Sequence, residues 1–233
     1  MVPKKLDIKI DAVLTGKIRT LGNNQTFSAI AKSPRQERLC INLMGFSEDE
    51  QADKKHHGGL DKAIHHYAKD HYDFWNNQQG INQTVFATPG AFGENISTHG
   101  LTEKTVCIGD RWRMGTAQLE VSQARQPCWK LNTRFGLSDM AERVQVTGKT
   151  GWYYRVLSEG TVQAGDTMML EDRPCPDWPL ARLLHLLYQD PLNREELTEA
   201  ATISYLPEGW RKLFTNRLKT GQVEDWNKRL YRA

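Results

Sequence analysis

Cys128 is the residue best placed by its neighbours to do chemistry. It stands in Gln126-Pro-Cys-Trp-Lys-Leu-Asn132, with Arg125 before it and Lys130 after it. Two nearby cations favour a thiolate over a thiol, and Pro127 breaks the regular backbone, so the sulfur is expected on a loop. A thiolate of this kind either ligates a thiophilic metal or acts as a nucleophile. The remaining cysteines look structural: Cys40 and Cys107 lie in strand-like runs and Cys175 lies among prolines. No Cys-x-x-Cys pair is present, so a zinc ribbon, an iron–sulfur cluster and a dithiol redox site are not signalled.

Two glycine-bearing loops are the other candidates. Gly58 and Gly59 let backbone amides approach a ligand, and His56, His57 and Lys62 beside them can donate to a phosphate or a pterin. In Pro89-Gly-Ala-Phe-Gly-Glu-Asn95, Glu94 and Asn95 offer the donors and acceptors that the edge of a heterocycle needs. His56, His57, His65, His66 and His71 are dense enough to raise a zinc hydrolase as an alternative. Their spacing argues against it, because no His-Glu-x-x-His is present and adjacent histidines on a strand face opposite ways. Gly109-Asp110 reads as a turn without a catalytic role.

The elements that must hold these loops are mainly β up to about residue 172. Apolar and polar residues alternate around Ile8 and Ile10, and short strands are expected over Phe27–Ala31, Arg38–Leu43, Ala117–Val121 and Gly151–Leu157. A hairpin turn within Arg113–Ala117 pairs Val106–Arg111 with Gln118–Gln123. Many short strands predict a barrel or sandwich. Helices are expected over Ala68–Gln78 and after Ser138, whose hydroxyl would cap the second. Three prolines in Glu171–Pro179 mark a linker, and helical spacing beyond it predicts a three-helix appendage. The expected domains are therefore 1–172 and 173–233.

At 233 residues, 39% hydrophobic and 25% charged, the chain has the composition of an ordinary globular protein. A net charge of +3 is too small to argue for nucleic acid. With no long apolar run for a membrane span and no signal-like leader, a cytoplasmic location is expected. No glycine-rich dinucleotide or nucleotide loop appears.

Taken together, Ser28-Ala-Ile-Ala-Lys32, Asp49-Glu-Gln-Ala-Asp53, His57-Gly-Gly-Leu-Asp-Lys-Ala63, Phe92-Gly-Glu-Asn95, Gly109-Asp110 and Gln126-Pro-Cys-Trp-Lys-Leu-Asn132 resemble, in order, the motifs of the MOSC domain. The match is to the stand-alone bacterial type with a three-α domain behind it. The resemblance implies a β-barrel like that of pyruvate kinase with interspersed helices, and a molybdenum cofactor, a molybdopterin, bound across its loops. Molybdenum would be held by Cys128, which would be both metal ligand and catalytic residue, and Lys32, His57, Gly58, Gly59, Asn95 and Arg125 would contact the cofactor. One departure is Gly45-Phe-Ser-Glu-Asp49, where Glu48 stands at a common glycine.

The implied activity is reduction of N-hydroxylated compounds, such as hydroxylaminopurines, to amines in detoxification. A non-catalytic carrier of the cofactor or its sulfur is the alternative. Partners would be the small-molecule substrate and an external electron-donor reductase, a flavoprotein, with neither nucleic acid nor membrane; a homodimer is compatible. Arg211, Lys212, Arg217 and Lys219 in the tail are candidates for docking an acidic reductase.

Overall fold

The computed structural model describes residues 6–22, 26–53, 58–81 and 83–231. Seven strands close a barrel: β1 (Asp7–Thr15), β2 (Ile64–Ala68), β3 (Ile96–Thr98), β4 (Arg111–Met114), β5 (Ala117–Ala124), β6 (Trp152–Ser158) and β7 (Thr167–Asp172). Their spatial order is β7-β4-β5-β6-β2-β3-β1, and pairing of Asp7 with Met169 and Ile8 with Met168 closes the ring. Every neighbouring pair is antiparallel except β2 and β3. Closure leaves the ring itself without a free edge, which is the physical advantage of a barrel over an open sheet. Inside lie Trp112, Leu119, Val121, Trp152 and Tyr154, each buried.

The hairpin forms as expected, with Met114 opposite Ala117 across Gly115-Thr116. The strand before it, however, starts at Arg111 and not at Val106. Asp110 explains this. It is fully buried, accepts from the backbone N–H of Cys107 at 2.9 Å and pairs with Arg173 at 2.7 Å, which ties residues 107–110 to the proline-rich segment. Phe27–Ala31 yields only the two-residue strand Phe27–Ser28. The expected helix over Ala68–Gln78 is shorter, because Ala68 ends β2 and a 3-10 turn, Lys69–His71, leads into α1 (Tyr72–Asn76).

Two helices follow the Cys128 loop. The first, α2 (Lys130–Phe135), was not expected. The second, α3 (Met140–Thr147), follows Ser138 as anticipated, yet no side chain from its N-cap, Asp139, caps it. Asn132 of α2 does this work instead: its Oδ1 accepts the Ala141 N–H at 2.7 Å.

In the tail, α4 (Leu180–Tyr188), α5 (Arg194–Thr202) and α6 (Glu208–Thr220) precede a short α7 (Asn227–Tyr231). The apolar stripe of α4, including Leu183 and Leu187, joins the same buried cluster as Leu119 and Val121 of the barrel. Arg217 is not a surface cation. It is 1% exposed, paired with Glu224 at 2.7 Å, and donates to the carbonyl of Leu187 at 3.1 Å, so it knits the tail internally. Lys212 is paired with Glu208 on its own helix. The basic face expected there is therefore reduced. No helix among the described residues is long and apolar enough to cross a membrane.

His66 is a core residue of the barrel. Its two ring nitrogens lie 3.0 Å from the Tyr154 hydroxyl and 2.9 Å from the Thr98 hydroxyl, and burial lowers its pKa to about 3. The folded state thus holds His66 neutral while the unfolded chain takes up a proton near pH 6.5. Stability from this group is complete above about pH 6.5 and is lost as pH falls toward 3, by as much as roughly 5 kcal/mol. Thermal melts from pH 7 to 4 should show a steeper acid decline for wild type than for His66→Gln. Equal slopes would exclude His66 as the source.

Candidate functional site

Four of the sequence-predicted residues converge on one pocket. Lys32, Asn95, Arg125 and Cys128 line it together with His65 and Tyr153. They come from separate parts of the chain: Lys32 precedes the short strand Ser33–Arg35, His65 lies on β2, Asn95 precedes β3, and Tyr153 lies on β6. Gly58 and Gly59 line an adjoining cavity instead, beside Gln126 and Trp210. His57 lies outside the described residues.

A bulge sets the exit of β5. Val121 pairs with Tyr154 but Gln123 with Tyr153, so Ser122 is an extra residue. Its one O–H donates to the carbonyl of Asp61 at 2.6 Å, with the Tyr153 carbonyl as the longer alternative acceptor at 3.1 Å. A bulge of this kind redirects the residues after it, which here are Arg125 and the Pro127-Cys128 loop. Cys128 itself sits at the mouth of α2, its carbonyl accepting the Leu131 N–H at 2.9 Å.

Positive charge gathers around the thiol. Arg125, Lys62 and Lys130 line the same pocket. Burial pulls the Lys62 pKa down, against the pull of Asp53, Asp61 and Cys128. Lys32 is also lowered by burial, opposed by Asp49, with which it forms a buried ion pair. Two nitrogens stand out: Arg125 Nη1 and His65 Nε2 are buried and have no hydrogen-bond partner among the described residues. Burial, with Arg125 as a second cause, holds His65 far below the ordinary histidine pKa. The imidazole is therefore neutral, and its ring stands 5.0 Å from that of Tyr153. Burial also raises the Tyr153 pKa, so its hydroxyl stays protonated beside Arg125 and Cys128.

Asn95 and Glu94 spend their capacity inside the protein. Asn95 Nδ2 donates to Asp49 Oδ2 at 2.9 Å and to the Leu14 carbonyl at 3.2 Å, while its Oδ1 accepts the His65 N–H at 3.1 Å. Fully buried Glu94 accepts the N–H groups of Gly90 at 2.7 Å and Phe92 at 3.0 Å, and the Tyr72 hydroxyl. Both residues thus shape the loop between α1 and β3. Gly93 is required by the same loop, because at φ 76° an added Cβ would stand 2.7 Å from Ile30.

The tail reaches the site too. Arg229 of α7 donates to the Pro127 carbonyl and, through Nη2, to Gln145 Oε1 at 2.6 Å; its own carbonyl accepts the Trp129 N–H at 2.8 Å. The residues on both sides of Cys128 are therefore clamped by the last helix. Arg229→Ala should cost about 1–2 kcal/mol, the worth of a pair of charge-assisted hydrogen bonds less their solvation. It should also raise the alkylation rate of Cys128 several-fold, followed by mass spectrometry of its peptide. An unchanged rate would show that the clamp does not restrain the thiol.

Sequence reasoning missed His65 as a pocket residue and did not single out Tyr153. Strand alternation separates Tyr153 from Trp152 and Tyr154, but only the closed barrel shows which face meets the pocket. The zinc alternative gains nothing, since no three metal-ligating side chains gather among the described residues.

Comparisons place this architecture. Residues 53–169 match the MOSC domain, and residues 178–221 match the YiiM-like, 3-alpha helix domain. The chain is 38% identical to Protein YiiM of Escherichia coli (strain K12), over 94% of this chain and 96% of that protein. It is 36% identical over 82% of its length to a protein of Gibberella moniliformis named Reductase, of which it spans 34%. The crystal structure of YiiM from Escherichia coli superposes with a TM-score of 0.82, covering 97% of this chain and 99% of that one at 31% identity. The barrel with its thiol-bearing pocket and its helical tail thus belongs to the MOSC domain family, in the form that carries a YiiM-like 3-alpha helix domain.

Proposed function

We propose that the protein binds a molybdenum cofactor through Cys128 and reduces N-hydroxylated compounds to amines. The observation that carries this reading is the pairing of one thiol with a pocket lined by Lys62, Arg125 and Lys130, besides the Lys32–Asp49 pair, Glu50 and Asp53, that holds two buried, unpartnered nitrogens, Arg125 Nη1 and His65 Nε2. Of the buried polar atoms without a partner among the described residues, these two belong to residues that line the pocket, where a polar ligand would satisfy them. A soft sulfur, a guanidinium donor and neighbouring lysines suit a thiophilic metal on an anionic organic carrier. The likeness to a protein named Reductase supports redox chemistry over simple carriage.

In the reaction the N–O bond breaks, two electrons and two protons are consumed, and the products are the amine and water. When bound, the molybdenum group supplies the oxygen-accepting redox centre. The chain's own residues do the rest. Cys128 would hold the metal, while Arg125 and the lysines would offset negative charge on its carrier. His65 presents a neutral ring, and the protonated Tyr153 hydroxyl is available to donate. Asp49 and Asn95 position Lys32 and the backbone of His65. The electrons come from an external flavoprotein, and the site lies chiefly in the barrel domain, residues 1–172, with the helical domain, 173–233, packed on it through α4 and Arg229.

The test is elemental analysis and turnover of protein purified from a host that makes the cofactor. About one molybdenum per chain, with reduction of an N-hydroxylated purine by an artificial donor, is expected. Stoichiometric zinc, or a molybdenum-free protein, would sink the proposal. Molybdenum without turnover would leave the carrier reading in its place.

A further inference from the structure

Beside Cys128 the tail walls a cavity of about 470 Å³, whose lining mixes Asp53 and Asp225 with Lys62, Lys130, Lys228 and Arg229. Because it shares Lys62, Cys128, Lys130 and Tyr153 with the first pocket, it is part of the site already described. Another cavity, of about 350 Å³, shares no lining residue with either. It lies between the barrel, the end of α3 and the first helix of the tail. His71 ahead of α1 and Thr102–Lys104 after β3 form one side, Lys149 beyond α3 a second, and Leu184 and His185 of α4 a third. The volume falls within the roughly 300–1,000 Å³ of small-molecule sites.

The unspent polar capacity on these walls is cationic. Glu103 is the one carboxylate among the lining residues, and both of its oxygens are engaged: Oε2 with His71 Nε2 at 2.6 Å, and Oε1 with the Gly151 N–H at 2.7 Å. Lys104 and Lys149 have no ion pair among the described residues, and the Lys149 ammonium rests 4.7 Å from the centroid of the Phe74 ring. His71 is 7% exposed. With Nε2 given to Glu103, its Nδ1 has no hydrogen bond among the described residues, so a buried ring on the cavity wall keeps one unused nitrogen that a ligand would satisfy.

We infer that this cavity is a second ligand site and that it takes a phosphate monoester. Two ammonium groups without carboxylate partners call for an anion, and lysine binds phosphate as a point charge. The unused Nδ1 decides between phosphate and carboxylate. An ionised carboxylate only accepts hydrogen bonds, whereas a phosphate monoester, with a second pKa of about 6, carries O–H as well as O⁻ near neutral pH. It can therefore bond the imidazole nitrogen whether or not that nitrogen bears a proton. Val146 and Leu184 give the organic group of the ester an apolar wall. None of this depends on the role of Cys128.

Calorimetric titration of the full-length protein with phenyl phosphate should detect binding tighter than about 1 mM, with benzoate at least about threefold weaker. Lys104→Met combined with Lys149→Met should weaken phenyl phosphate about tenfold, roughly threefold for each charge pair near the surface. His71→Gln should also weaken it about tenfold, the scale of one hydrogen bond to a charged group. The lysine variant serves if the histidine variant fails to fold. Arg125→Met, in the Cys128 pocket, should bind phenyl phosphate as wild type does. The inference is overturned if wild type does not bind the probe, if benzoate binds as tightly, or if the folded lysine variant binds it equally well. It is overturned too if Arg125→Met abolishes binding, since the anion would then occupy the Cys128 pocket.

Discussion

Cys128→Ala is expected to leave purification at least about 100-fold poorer in retained molybdenum than wild type. Even partners outside a metal's own ligands change affinity about 10–100-fold, and removal of the proposed protein ligand should cost no less. Turnover should fall in proportion. Folding should scarcely change, because Cys128 is only half-buried and Cys→Ala away from the core shifts stability by about 0.5 kcal/mol. Cys128→Ser separates two chemistries. Its hydroxyl keeps the size and polarity of the thiol but is a hard oxygen, unsuited to a thiophilic metal, so it should lose molybdenum as the alanine variant does. Undiminished molybdenum in either variant, measured by mass spectrometry on folded protein, would remove Cys128 from the ligand role.

Arg125→Met should move stability and function in opposite directions. The arginine is 6% exposed and its side chain bonds Tyr153, but its Nη1 has no partner among the described residues, so without a ligand one buried donor of the cation is unsatisfied. Such a donor costs about 1–3 kcal/mol, and a buried charge replaced by an apolar side chain of similar volume is often neutral or stabilising. The cofactor-free variant should melt about 2–4 °C higher for each kcal/mol recovered. The backbone bond from the Arg125 N–H to the Gly151 carbonyl, 2.9 Å, is untouched by the change. Cofactor retention should nevertheless fall roughly tenfold or more, the value of one charge-assisted hydrogen bond. Calorimetry of the cofactor-free forms reads the first effect and molybdenum per chain the second. A variant that is less stable yet fully loaded would show that Arg125 is a structural residue.

Much of the scaffold was legible because it depends on local patterns. Alternation along β5 and β6, the Gly115-Thr116 turn and the apolar stripe of α4 each reflect a period of two or 3.6 that burial on one face demands. Where tertiary bonds overruled local preference, the reading failed. Residues 106–110 extend the hairpin on paper, but Asp110 is held by Arg173 from 63 positions away. Ser138 looks like a cap, but Asn132 supplies it. Arg217 looks like a solvated cation on an amphipathic helix, yet the chain returning through Glu224 encloses it.

The candidate site divides along the same line. By itself the sequence determined that Cys128 follows a proline among basic residues, and that Lys32, Asn95 and Arg125 recur in family order, because these are properties of neighbours and motifs. Only the closed barrel decided that these side chains share one pocket with His65 and Tyr153, and that Glu94 is consumed inside its own loop. It also decided that the tail walls a second cavity against the same thiol. The physical reason is range: chemical character is written in adjacent residues, whereas convergence depends on strand order, on the bulge at Ser122 and on the burial that leaves particular nitrogens without partners.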